Sequence, residues 1–76
     1  MLWHFKKINE TDKTLTYAFG YESRETTGIF EYNKTTKKAV ILKDFEGDKT
    51  YYNFDLAVLQ LIEDHGAPDI KTIAYG

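Results

Sequence analysis

The hydrophobic period of this chain changes once, near residue 53, and that change fixes its fold class. Before it, apolar side chains alternate. Residues 14–22 place Leu15, Tyr17, Phe19 and Tyr21 on one face and Thr14, Thr16, Ala18 and Gly20 on the other, the two-residue repeat of a strand. After it, Phe54, Ala57, Val58, Leu61, Ile62 and His65 recur at three- and four-residue spacing, the stripe of an amphipathic helix. A chain with both periods, in that order, reads as α+β.

Three more β-rich stretches accompany the clearest one, at 2–9, 27–33 and 38–44. They are separated by the turn segments 10–13, 23–26 and 34–37. Connections of about four to six residues favour an antiparallel meander. Asn53 is placed to cap the helix start, Asp55 puts a carboxylate in its first turn, Gly66 suits the left-handed residue after its end, and Pro68 blocks continuation. Residues 69–75 then read as a fifth strand. The expected order is β-β-β-β-α-β, a single domain over residues 1–76. A fifth strand in this order pairs either antiparallel with the first or parallel with the fourth by a right-handed crossover. The first option, giving a strand order 5-1-2-3-4 with the helix across one face, keeps the sheet wholly antiparallel and is preferred.

Stability is the next constraint. A 76-residue chain has a small core, and with no cysteine it has no disulfide to reinforce it. Twelve aromatic residues (Trp3, five Phe, six Tyr) are the available substitute, each able to bury about 150–250 Å². One helix of about 12 residues is roughly 18 Å long and 10 Å wide, whereas five strands span about 20–24 Å. One sheet face is therefore expected to stay at least partly bare. Strand 2 leaves two alternatives. Either its aromatics face the helix as core, or its small face does, and Tyr17, Phe19 and Tyr21 with Phe30 and Tyr32 form an open binding platform. A second candidate contact is the run 39–42 in strand 4, where Val40 and Leu42 are bracketed by Lys37, Lys38 and Lys43. Such a run is either an edge strand guarded by lysines or an edge that pairs with another chain.

Residues that carry chemistry are sparse. Ser23 is the only serine, with no nucleophile-elbow context. His65 belongs to the helix end, where its charge suits the dipole, and His4 to a half-buried strand position. Asp44, Glu46 and Asp48 alternate with Asp55 further on, but Gly47 is misplaced for a calcium loop, so an acidic turn is expected and no metal ligand is assigned. The five glycines form no phosphate-binding spacing, and no cofactor is expected. The chain is expected not to be an enzyme.

Charge separates the partner classes. Residues 1–38 carry net +2 and residues 39–76 net −4, giving −2 overall, and Arg24 is the only arginine. Lysine without arginine is poor material for bidentate phosphate or base recognition. Aromatics with Lys6, Lys7, Lys13, Lys34, Lys37 and Lys38 nonetheless make a nucleic-acid accessory role the alternative. The preferred expectation is a protein-interaction module, self-associating through its sheet face or edge strand. No run of about 20 apolar residues exists to cross a bilayer and no signal-peptide core is visible, so a cytoplasmic location is expected, in keeping with the absence of cysteine.

Overall fold

A computed structural model describes residues 2–22, 25–46 and 54–74. Five antiparallel strands and one helix follow the order the two periods predict: β1 (Leu2–Glu10), β2 (Thr14–Tyr21), β3 (Gly28–Asn33), β4 (Lys38–Lys43), α1 (Phe54–Leu59, continuing as Gln60–Asp64) and β5 (Ile70–Ala74). The sheet order is β4-β3-β2-β1-β5, so the fifth strand closes antiparallel on the first.

The register shows which face the helix takes. Phe5 lies opposite Phe19, Trp3 opposite Tyr21, Tyr17 opposite Phe30 and Leu15 opposite Tyr32, and all are buried. Phe54, Ala57, Val58 and Leu61 of the helix close over them, with Phe45 and Ile73 completing the cluster. The rings meet in the tilted and edge-to-face contacts that aromatic quadrupoles favour. Trp3 lies 4.6 Å from Tyr21 and 5.3 Å from Phe54 between centroids, and Tyr17 stacks on Phe30 at 5.6 Å. Of the two arrangements open to strand 2, the fold adopts the one with aromatics as core. The reason is volume: these rings are the largest apolar area in the chain, and the helix stripe is the only apolar surface among the described residues able to cover them.

Local details explain the element ends. Asn33 Oδ1 accepts hydrogen bonds from the backbone N–H groups of Thr35 and Thr36, and Lys37 takes a positive φ of 59° to return the chain into β4. The last turn of the helix widens, with the His65 N–H donating to the Gln60 carbonyl five residues back. Gly66, at φ +70°, supplies the expected left-handed residue. Ala67 also has positive φ, and the Tyr17 hydroxyl then donates to the Pro68 carbonyl at 2.6 Å, fastening the α1–β5 connection to the sheet. The expected cap Asn53, with Ser23, Arg24, Gly47, Asp48 and Tyr75, lies outside the described residues.

Candidate functional site: the uncovered face of the sheet

The seven residues singled out as binding candidates separate into two groups. Tyr17, Phe19, Tyr21, Phe30 and Tyr32 are brought together, but in the core beneath the helix, so the open aromatic platform is replaced by a buried one. Val40 and Leu42 are 61% and 60% exposed on the edge strand β4. Val40 opposes Glu31, which opposes Thr16; Thr16 stands between the core-facing Leu15 and Tyr17, so this row points away from the helix.

The same reasoning assembles the rest of the uncovered face. One row across all five strands runs Ile70, Lys6, Ala18, Ile29 and Lys43. A second contains Thr72, His4 and Gly20, and a third pairs Ala74 with Leu2. Leu2, Ile70, Val40 and Leu42 are all large exposed apolar residues, Ile70 being 72% exposed. They occupy the two flanks of the face, whereas its centre on β2 carries the small side chains Ala18 and Gly20, both buried. Leu2, Ile29 and Ile70 were not readable as members of this surface, because membership depends on pairings between strands far apart in the sequence.

The flank at β1 and β5 is hollowed into a groove of about 570 Å³, bordered by Leu2, His4, Lys6, Ile70 and Thr72. His4 Nδ1 lies 3.0 Å from Thr72 Oγ1, and the Leu2 N–H donates to Glu22 Oε1 at 2.7 Å. His4 is half-buried, as its place in the strand implies, while His65 is exposed beyond the helix, on the far side of the sheet. At the opposite flank, Leu42 is the extra residue of a bulge: Phe30 pairs with Ile41, and Ile29 with Lys43. The bulge, with Lys38 and Lys43 at the strand ends, blunts β4 against edge-to-edge pairing and leaves Val40 and Leu42 displayed on the face.

Charged groups gather at the other end of β1. Lys7 Nζ bonds Glu10 at 2.8 Å and lies 3.7 Å from Asp69, and Lys34 Nζ bonds the second Glu10 oxygen at 2.8 Å. Hydrogen bonds from Lys34 and then Lys7 hold the Glu10 carboxyl down at about 2, and Glu10 in turn raises Lys7. Burial, with smaller contributions from the charges of Glu10 and Asp69, pushes the Tyr17 hydroxyl up to about 12. These groups pin the β1–β2 and β3–β4 turns together. Among the described residues, no three histidine, aspartate or glutamate side chains converge as a metal site, and no helix is long and apolar enough to cross a membrane. No protein-family model, curated protein or solved structure matches this chain.

Proposed function

We propose that this chain is a small non-catalytic protein-interaction module that docks through the uncovered sheet face, with Val40 and Leu42 on one flank and Leu2 and Ile70 on the other. The supporting observation is the gathering of these four exposed aliphatic side chains on the sheet face opposite the helix. Scattered surface leucines are ordinary, but apolar side chains framing a flat sheet are the composition of a contact surface. A cysteine-free chain suits the reducing cytoplasm, which we propose as its location. Protein contact is preferred to nucleic-acid contact because the rings that would stack on bases form the core, leaving the face aliphatic and polar.

A photo-activatable side chain introduced at Val40 tests this reading in cells. A discrete covalent adduct is expected from position 40 and not from position 64, which is exposed at the helix end. Equal labelling from both positions, or none from position 40, overturns the reading.

A further inference from the structure

We infer that β5 receives an extended segment of a partner protein as a sixth, antiparallel strand, with an acidic side chain of that segment opposite Lys71. This rests on the reading of the sheet as a protein-docking surface, to which Ile70 belongs, and names what the partner contributes there. Three observations carry it.

The first is the direction of the backbone. The Lys7 N–H donates to the Asp69 carbonyl at 2.7 Å, and the Glu22 N–H to the Leu2 carbonyl at 2.8 Å. Antiparallel pairs alternate between bonded and non-bonded. Both registers, continued along β1, therefore turn the backbone of Trp3 and Phe5 toward β5 and that of His4 and Lys6 toward β2. On β5 the partners of Phe5 and Trp3 are Lys71 and Ile73, which leaves Ile70, Thr72 and Ala74 with N–H and C=O groups directed out of the sheet. These groups have no backbone partner among the described residues. A row of outward donors and acceptors in this phase is what an added strand recognises.

The second is the contrast between the two edges. β4 is bulged at Leu42 and has a lysine at each end. β5 pairs with β1 through five consecutive residues without a bulge, has no proline, and has no charged residue at either end. Its exposed Ile70 and Thr72 are β-branched, the kind of side chain that packs against a neighbouring strand.

The third is charge. Lys71 lies opposite Phe5, hence on the helix side of the strand, and is half-buried. It makes no ion pair among the described residues. A strand bonded to Ile70, Thr72 and Ala74 sets its own residue opposite Lys71 in a non-bonded pair, where side chains approach most closely. A carboxylate there gains an ion pair and a lysine is rejected. The occupant is thus an extended segment whose acidic residue is flanked by β-branched ones.

The test titrates the whole chain with a short blocked peptide of alternating valine and glutamate, followed by amide NMR and hydrogen exchange. Slowed exchange at Ile70, Thr72 and Ala74 is expected, and no change at those three up to the peptide's solubility overturns strand addition. Methylating the valine nitrogens, which face β5 in this register, is expected to weaken binding at least about tenfold. Methylating the glutamate nitrogens, which face away, is expected to leave it intact, and equal effects of the two overturn the register. Lys71→Gln is expected to abolish the preference for this peptide over its valine–lysine counterpart, and Lys71→Glu to reverse it, both with circular dichroism unchanged. An unaltered preference overturns the acidic assignment. A position-40 photo-adduct without strand pairing upholds docking through the face and fails the sixth strand. Strand pairing without that adduct does the opposite, so the two failures are distinguishable.

Discussion

Replacing Gly28 by alanine probes the packing that decides which face is core. Gly28 lies opposite Phe19, and its hydrogen fills the place where a Cβ would stand 2.6 Å from Phe19 Cε1, 2.7 Å from Cζ and 2.9 Å from the Phe45 backbone nitrogen. No real Cβ tolerates such distances. The ring could tilt, but it is wedged by Trp3, Phe30, Phe45 and Phe54 at centroid distances of 5.1–6.3 Å, and the Phe45 nitrogen is backbone. Overpacking of one methyl in such a site costs about 1–3 kcal/mol, with the upper half of that range expected because backbone must move. For a domain of this size that is a fall in Tm of about 8–20 °C. Urea denaturation of Gly28→Ala measures the loss directly. In a Phe19→Leu background the ring is gone and the cost of Gly28→Ala should fall by about 1 kcal/mol, the residue being the Phe45 contact. A Gly28→Ala cost below about 0.5 kcal/mol, or no coupling with Phe19, would refute the argument that Phe19 packs into the glycine slot beneath the helix.

Further expectations rest on other contacts. Tyr17→Phe removes the hydroxyl bonded to the Pro68 carbonyl and should cost about 1 kcal/mol in denaturant titrations. Because burial raises Tyr17 from 10.0 to about 12, its stabilisation is complete below pH 10 and is lost as pH rises toward 12. Its share of the alkaline decline is on the order of 1–2 kcal/mol, so the decline should be shallower in Tyr17→Phe, where the raised Tyr32 and Lys7 remain. Glu10 moves oppositely: its carboxyl is held at about 2, so the stability it contributes is present above 4.5 and disappears as pH falls through 2. The acid limb should flatten in Glu10→Gln and with added salt, which screens exposed pairs. Lys37→Gly relieves a non-glycine residue at φ 59° and should raise stability by up to about 1 kcal/mol, read as an upward Tm shift.

Most of the architecture is legible because each element announces its period. The alternation through Leu15, Tyr17, Phe19 and Tyr21 and the stripe through Phe54, Val58 and Leu61 predict the strands and helix to within a residue or two at the ends the structure describes, and the preferred strand order is the one observed. What period cannot supply is choice of face. Both faces of β2 were compatible with a helix, and the decision came from the combined ring volume of three strands. Phe45, in the segment after β4, carries no periodic signal yet is fully buried against Trp3 and Phe19. The widened final helical turn likewise leaves no mark in the sequence. For the candidate site, Val40 and Leu42 stood out as an apolar run between lysines. Leu2 and Ile70 did not, since only the β1–β5 register reveals that they share their face.

Photo-cross-linking from position 40 beside position 64 tests the central claim most directly. The account predicts a discrete protein adduct from position 40, on the sheet face opposite the helix, and none from position 64, exposed at the helix end. Equal labelling from the two positions, or none from position 40, would contradict it.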